Sequence, residues 1–201
     1  NVRLMDTSLR PDPLPPAALS ALISGLGLVG DTDSREPVTG ITLDSRAVQP
    51  GWLYVAVPGS RAHGAQFAAS AIDSGAVAVL TDDAGMELIG PSLVPVVAAA
   101  DVRTAMATVA ARLFGEPARE MTMLGVTGTN GKTTTVALLQ SGLMAAGVPT
   151  GTIGTIGFRL GAQELRSSRS TVTTPESPDL QALLAVMQRR GAQAVALEVS
   201  S

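Results

Sequence analysis

Short apolar runs separated by turn residues make up the first half of the chain. After a proline-rich stretch at residues 10–16, apolar spacing predicts a short helix at residues 15–26, broken by Gly25 and Gly27. Compact apolar runs then predict strands at residues 41–43, 52–57, 76–80 and 94–98. Helical spacing of Ala, Ile, Met and Val predicts helices at residues 66–74 and 102–114. This order of elements is typical of an α/β domain.

The second half alternates in the same way on either side of a glycine-containing turn. It predicts, in order, a strand at residues 121–126, a turn at 127–131, a helix at 132–146, a strand region at 150–158, a loop or hairpin at 160–172, a helix at 178–190 and a buried strand at 192–199. Strand–helix–strand order of this kind predicts a parallel sheet.

A linker separates the two halves. Residues 115–120 hold glycine and proline after a helix and before a new strand, which predicts one domain at residues 1–118 and a second at residues 119–201. The elements predicted for the second domain are too few to cover both faces of a parallel sheet. We therefore expect this domain to be incomplete and to continue beyond Ser201.

Composition narrows the possible classes of function. Hydrophobic residues make up 45% and charged residues 15% of the chain, as in a compact soluble protein. Aromatic residues are only 2% and the net charge is −3, which argues against a nucleic-acid binder. No apolar run approaches the roughly 18–20 residues of a membrane span. The absence of cysteine excludes disulfides and thiolate metal sites, and these features together predict a cytoplasmic protein.

The strongest chemical pattern is a phosphate-binding loop between a predicted strand and a predicted helix. Its glycines allow a tight turn with inward N–H groups, and the helix adds its positive end. Lys132 supplies a charge for the β- and γ-phosphates, and the Thr133 hydroxyl is a ligand for Mg²⁺. The usual spacing has glycine where this chain has Val126, and a surface turn is the alternative. We predict that ATP is bound by Gly128, Thr129, Asn130, Gly131, Lys132, Thr133 and Thr134.

With this loop, the predicted fold class is α/β: a small N-terminal α/β domain followed by the start of a P-loop parallel-sheet ATPase domain. Glu198 ends the apolar run at residues 194–197, and ligands gather at the carboxyl ends of parallel strands. We expect its carboxylate to bind the same Mg²⁺, whereas a strand-end glutamate facing water is the alternative.

Three other polar clusters each have two interpretations. Thr173 and Thr174 precede a predicted helix, and their spacing favours a helix cap, with Pro175 in the first turn, over a substrate site. The Asp-Ser-Arg triplet at residues 44–46 forms either a turn closed by an Asp–Arg pair or a ligand loop. The only histidine, His63, is expected to be a solvated loop residue.

Taken together, these motifs resemble the Mur ligases of peptidoglycan synthesis, and within them the MurE type. Residues 127–134 are similar to the family's T-G-T-N-G-K-T-T, a form in which Val126 is tolerated. T-T-P at residues 173–175 and E-V-S-S at residues 198–201 resemble MurE rather than MurF. The series that resembles the uridine-nucleotide-binding domain shared by MurE and MurF is D-S-R at 44–46, P-G-W-L-Y-V-A at 50–56, Gly59, Gly64 and G-A-V at 75–77.

The resemblance implies an ATP-dependent ligase that adds meso-diaminopimelate or L-lysine to UDP-N-acetylmuramoyl-L-alanyl-D-glutamate. ATP would phosphorylate the D-glutamyl carboxylate, and the amine of the amino acid would then displace phosphate. Lys132 would be the catalytic residue that stabilises the transferred phosphoryl group, while Thr133 and Glu198 would hold Mg²⁺. The resemblance also implies that the protein is a monomer. It further implies that Ser45 contacts the uridine end of the substrate, and that the muramoyl-dipeptide end is contacted by Thr173, Thr174 and Ser200.

Two features depart from the family pattern. His63 stands where the family often has an acidic residue, so no role is assigned to it. The family also carries a carbamylated lysine and the residues that select the amino acid beyond the matched region, so this chain alone is not expected to complete the reaction. The alternatives are a MurF-type ligase that adds a dipeptide and a non-catalytic nucleotide-binding module. Residues 173–175 and 198–201 argue against the first, and residues 44–75 against the second.

Overall fold

The computed structural model describes residues 10–11, 13–165 and 174–200, and these form two compact units. The first is Pro13–Leu113, and the second joins residues 114–165 and 174–200 with residues 10–11. Within the second unit, Arg10 Nη2 donates to Asp179 Oδ1 at 3.2 Å. The predicted domain ranges, 1–118 and 119–201, stay a prediction. No helix among the described residues is long and apolar enough to cross a membrane.

A five-stranded sheet forms the centre of the first unit. Its strands are β1 (Val29–Gly30), β2 (Gly40–Thr42), β3 (Trp52–Val55), β4 (Ala76–Thr81) and β5 (Val96–Ala98), in the order β1-β5-β4-β3-β2. All neighbours are parallel except β1, which runs antiparallel to β5. Its helices are α1 (Leu19–Ile23), α2 (Ala68–Asp73), α3 (Asp83–Ile89) and α4 (Val102–Leu113). Every residue of β4 is buried, as expected for a central strand covered on both faces.

The first unit differs from the sequence prediction mainly where tertiary contacts override local spacing. The predicted helix at residues 15–26 is reduced to Leu19–Ile23, because Ala17 pairs in extended form with Val38 through two backbone hydrogen bonds of 3.0 and 2.7 Å. Neither the short β1 nor α3 was predicted. Asp82 starts α3 by accepting a hydrogen bond from the Gly85 N–H at 2.8 Å.

The second unit holds another five-stranded sheet, which is parallel on one side and antiparallel on the other. Its strands are β6 (Thr122–Val126), β7 (Thr150–Gly154), β8 (Gly157–Leu160), β9 (Gln163–Leu165) and β10 (Ala194–Glu198), in the order β6-β10-β7-β8-β9. Both β6 and β7 are parallel to β10, whereas β8 and β9 form antiparallel pairs. The helices are α5 (Lys132–Ala145) and α6 (Ser177–Arg189).

The predicted strand region at residues 150–158 is wrong in one respect, because the chain reverses between β7 and β8. Gly157 has a φ of +97°, which a turn requires and glycine adopts without strain. Residues 160–165 belong to the hairpin that was one of the two predicted alternatives, and residues 166–172 lie outside the described part of the chain. The sheet is therefore mixed rather than purely parallel.

The two helices of the second unit cover opposite faces of its sheet. A side chain on Gly151 would approach Met187 Sδ of α6 at 2.7 Å, and Ile153 lies in one buried cluster with Leu183 and Met187. Thr152 and Gly154 alternate with these residues along β7 and therefore point to the other face. That face is covered by α5, which follows the glycine-containing turn. The predicted phosphate loop therefore leads directly into the helix above this face.

Candidate nucleotide and metal site

The turn between β6 and α5 has the backbone that the phosphate-loop hypothesis requires. Gly128 and Gly131 have φ angles of +138° and +80°, in the region where side chains are strained. Gly131 is the N-cap residue of α5 and provides no side-chain cap. The first N–H groups of this helix and its positive end therefore face the turn, which is the geometry that binds phosphate.

Lys132 is the first residue of α5 and folds back over the loop. Its Nζ donates a hydrogen bond of 2.6 Å to the Gly128 carbonyl oxygen. The ammonium group is thus held above the N-terminus of the helix, and an incoming phosphate oxygen would replace the carbonyl as its acceptor. Lys132 is also the only lysine in the sequence, so that its chemistry can be followed without interference from other lysines.

Glu198, at the carboxyl end of β10, is buried rather than exposed. Its side chain is 1% exposed, so the alternative of a glutamate facing water is wrong. Oε1 accepts a hydrogen bond from the Thr155 N–H at 3.2 Å, and Oε2 accepts one from Thr155 Oγ1 at 2.9 Å. A Cβ on Gly154 would lie only 2.6 Å from the carboxyl carbon and would overlap Oε1. The carboxylate therefore occupies a space that exists because residue 154 is glycine.

Sequence reasoning missed Thr155 and Gly154. The signal was present as the alternation of glycine and threonine in G-T-I-G-T at residues 151–155, which was interpreted only as a strand. Because Glu198 is 43 positions away in the sequence, the pairing of Thr155 with it could not be derived from spacing.

Thr133 and Glu198 line the same cavity of about 20 Å³ between α5, β7 and β10. A hydroxyl and a carboxylate are the hard oxygen ligands that Mg²⁺ prefers. The described residues contain no group of three or more His, Cys, Asp and Glu side chains that could hold a metal ion by themselves. The chemistry of these two oxygen donors therefore fits a Mg²⁺ that takes its other ligands from phosphate oxygens and water and lies outside the cavity, which has room for about one water molecule. The metal roles of Thr133 and Glu198 stay a prediction.

Two predicted substrate residues meet beside Glu198. Thr174 Oγ1 donates to the Glu198 carbonyl oxygen at 2.9 Å, accepts from the Ser200 N–H at 3.1 Å and lies 3.0 Å from Ser200 Oγ. Since α6 begins at Ser177 and Glu176 is its N-cap residue, the interpretation of Thr174 as a helix cap is wrong. Thr173, the fourth member of the predicted substrate-binding set, lies outside the described residues.

In the first unit, residues 44–46 form the turn closed by an Asp–Arg pair. Ser45 begins a short 3-10 helix, Ser45–Ala47, which Asp44 caps by accepting from the Arg46 N–H at 3.0 Å. Arg46 donates from Nε and Nη2 to the two Asp44 oxygens at 3.0 and 3.2 Å. This hydrogen bonding, with the charge of Asp44, raises the pKa of Arg46. The interaction of Ser45 with a substrate stays a prediction.

His63 is not the solvated loop residue that was expected. Its Nδ1 accepts a hydrogen bond from the Ala65 N–H at 3.0 Å, which leaves Nε2 to donate to Asp82 Oδ1 at 3.0 Å. Only 14% of the side chain is exposed. Because Asp82 also caps α3, the histidine ties the start of that helix to the short 3-10 helix Gly64–Phe67.

The burial of Tyr54 predicts that the free energy of unfolding falls at alkaline pH. Its side chain is 1% exposed, and its hydroxyl donates to the Gly64 carbonyl oxygen at 2.9 Å. Burial, and secondarily the charge of Asp44, raise the pKa of Tyr54 from 10.0 to about 12. A pKa that is higher in the folded state than in the unfolded state contributes stability that is complete below pH 10 and is lost as the pH rises to about 12.

We therefore expect the free energy of unfolding to fall by about 2 kcal/mol more in the wild-type chain than in Tyr54→Phe over this alkaline range. Urea unfolding of both chains at a series of pH values measures the difference, and the phenylalanine variant controls for the titration of other groups. Curves that stay parallel between pH 10 and 12 would contradict the prediction.

Comparison with known proteins identifies two matching family models and several similar proteins. The family described as "Mur ligase family, catalytic domain" matches residues 37–114, and the "Mur ligase middle domain" matches residues 126–201. A Streptomyces coelicolor protein named UDP-N-acetylmuramoyl-L-alanyl-D-glutamate–2,6-diaminopimelate ligase is 48% identical over 96% of this chain. A Leifsonia xyli protein named UDP-N-acetylmuramyl-tripeptide synthetase is 45% identical over 97% of it. The chain spans 37% and 38% of the lengths of these two relatives.

Solved structures share the fold. A structure of a UDP-N-acetylmuramoyl-L-alanyl-D-glutamate–2,6-diaminopimelate ligase superposes with a TM-score of 0.75 and 24% identity, over 92% of this chain and 36% of that one. MurF from Thermotoga maritima in complex with ADP gives a TM-score of 0.52 and 22% identity, over 80% of this chain and 32% of the MurF chain. At these identities the structures show the fold alone. The two family matches and the relatives above show that the chain belongs to the Mur ligase family.

Proposed function

We propose that this chain forms part of an ATP-dependent ligase that adds meso-diaminopimelate to UDP-N-acetylmuramoyl-L-alanyl-D-glutamate. The observation that carries the proposal is the position of Glu198. It shares a cavity with Thr133 of the phosphate loop, and its own carbonyl is bonded to Thr174, beside Ser200. A nucleotide site and a candidate peptide site therefore meet at one residue, as the transfer of a phosphoryl group to a bound carboxylate requires. Relatives named as the diaminopimelate ligase support this choice of amino acid over L-lysine.

The phosphate loop is proposed to hold ATP. Residues 128–134 would supply backbone N–H groups and the end of α5 for the β- and γ-phosphates, and Lys132, whose Nζ lies over the loop at the Gly128 carbonyl, would contact the γ-phosphoryl group. Its charge offsets the charge of the transferred oxygens in the transition state. The D-glutamyl carboxylate attacks the γ-phosphorus, ADP leaves, and an acyl-phosphate forms. The amine of the incoming amino acid then attacks the acyl carbon and expels phosphate.

Thr133 and Glu198 are proposed to hold Mg²⁺ together with the phosphates. When bound, this ion neutralises phosphate charge and aligns the γ-phosphoryl group with its acceptor. Thr155 keeps the Glu198 carboxylate in place through its N–H and its hydroxyl. Thr173, Thr174 and Ser200 are proposed to contact the muramoyl-dipeptide end of the substrate, and Ser45 the uridine end.

We also propose that the whole ligase is a cytoplasmic monomer and that its amino-acid site lies outside the region matched by this chain. A MurF-type ligase is the second candidate, because MurF structures share the fold. A non-catalytic nucleotide-binding module would bind ATP without consuming it. The bonds of Thr174 to Glu198 and Ser200 support a reaction site over such a module, because Glu198 also shares a cavity with Thr133 of the phosphate loop.

Phosphate release by the whole ligase tests the proposal. With ATP, Mg²⁺ and UDP-N-acetylmuramoyl-L-alanyl-D-glutamate, we expect release to depend on meso-diaminopimelate and to be far slower with L-lysine. The parallel assay offers the tripeptide precursor with D-alanyl-D-alanine. Release only in that assay would identify the MurF reaction, and ATP binding without release in either assay would identify a non-catalytic module.

A further inference from the structure

Thr152 carries a buried hydroxyl group for which the described residues offer no hydrogen-bond partner. The residue lies in the middle of β7 and is 4% exposed, and its Oγ1 is without a partner among them. Thr150, two positions earlier and also buried, instead donates from Oγ1 to the Val148 carbonyl at 2.8 Å. A buried hydroxyl without a partner is costly, and such groups are usually satisfied by ordered water.

The Thr152 side chain belongs to the face of the sheet on which Glu198 lies. Thr152 and Gly154 point to the same side of β7, and the Glu198 side chain fills the space above Gly154. Thr152, Glu198 and Thr133 all line the cavity of about 20 Å³ under α5. This volume is sufficient for one water molecule, and the cavity offers the polar groups that a buried water needs.

We propose that Thr152 holds one buried water against the Glu198 carboxylate, and that this water positions the carboxylate for the divalent cation. Thr152 Oγ1 donates to the water oxygen, and the water donates to the carboxylate. Glu198 has acceptor capacity for it, because a carboxylate has about four acceptor positions and Thr155 supplies two donors. Thr152 is thus a positioning residue that acts through Glu198. The inference rests on the cation role proposed above for Thr133 and Glu198.

The coupling between Mg²⁺ and nucleotide binding tests this role. The affinity of the whole ligase for a fluorescent ATP analogue is measured with Mg²⁺ and with EDTA, and the ratio gives the gain due to the cation. Thr152→Val keeps the shape of the side chain but removes the hydroxyl, and we expect it to lower this gain about tenfold while leaving the affinity in EDTA unchanged. Thr152→Ser keeps the hydroxyl and should retain the gain. Thr150→Val controls for the loss of a buried threonine hydroxyl outside the cavity.

The outcomes separate this inference from the proposed function. If the wild-type gain is large and Thr152→Val retains it, Thr152 has no role in positioning, although the nucleotide and cation site stands. If the wild-type protein shows no gain from Mg²⁺, the cation role fails and this inference fails with it. High-resolution electron density provides a second measurement: a water bonded to Thr152 and Glu198 in wild type and absent in Thr152→Val supports the proposal, and an empty cavity in wild type overturns it.

Discussion

Replacing Lys132 with methionine is expected to slow phosphate release by the whole ligase about 10³-fold. The expected loss is large because, in the proposed reaction, the lysine charge offsets the charge that develops on the transferred phosphoryl group, in a site where backbone N–H groups are the other protein donors. Methionine keeps much of the length of the side chain and removes only the charge and the hydrogen bond to Gly128. Lys132→Arg restores the charge with a planar group of different reach, so we expect a smaller loss.

Lys132 is the only lysine of the 201-residue sequence, so peptide mapping of the whole ligase can follow nucleotide binding at this residue without interference from another lysine in residues 1–201. We expect Mg²⁺–ATP to slow the acylation of Lys132 by an amine-reactive reagent, measured by mass spectrometry. The α-amino group of the same chain is an internal reference that ATP should not protect. Equal acylation of Lys132 with and without ATP, or a methionine variant with wild-type phosphate release, would contradict the assignment of this residue to the phosphate site.

Gly154→Ala is expected to have the next largest effect. The added Cβ would lie 2.6 and 2.7 Å from the Glu198 carboxyl carbon and Cγ, so the carboxylate has to leave its place between Gly154 and Thr155. We expect phosphate release to fall about 100-fold, since displaced metal ligands or their supports cost up to this much. Overpacking should also lower the free energy of unfolding by about 2 kcal/mol.

Gly142→Ala is the matched control for this substitution. Gly142 lies in α5, and a Cβ there has no atom within 4 Å. Alanine in a helix interior is favoured over glycine by about 1 kcal/mol, so this variant should be more stable and retain phosphate release. A Gly154→Ala protein with wild-type phosphate release and wild-type affinity for Mg²⁺ would show that the position of the Glu198 carboxylate does not matter for the reaction.

The backbone of the predicted phosphate loop could be expected from sequence because its geometry is local. Two glycines at positive φ, a lysine and a threonine hydroxyl follow one strand and start one helix, all within residues 126–134. Their relative positions are set by the backbone of one turn, so residue order contains almost all the information. The same holds for the strands β3 and β4, whose apolar runs are buried because they lie inside a sheet.

The surroundings of Glu198 could not be predicted in this way. Thr155 donates hydrogen bonds to its carboxylate, Thr174 donates one to its carbonyl, and the absence of a side chain at Gly154 leaves space for the carboxylate. These three residues are 43, 24 and 44 positions away in the sequence. Nothing in the local pattern around residue 198 distinguishes a buried ligand from a glutamate facing water. Likewise, the order of residues 173–176 favours a helix cap. The structure shows instead that α6 begins at Ser177 and that Thr174 Oγ1 donates to the Glu198 carbonyl.

The sequence by itself determined the α/β class, the strand–turn–helix backbone of the predicted phosphate loop and the resemblance to the Mur ligases, because periodicity and short motifs depend on neighbouring residues. Only the tertiary structure decided that the second sheet ends in an antiparallel hairpin, that His63 is bound to Asp82, and that Thr152 shares a cavity with Glu198. Those contacts join residues distant in sequence, and they form because the pairing of strands and the packing of helices bring separate segments to one face.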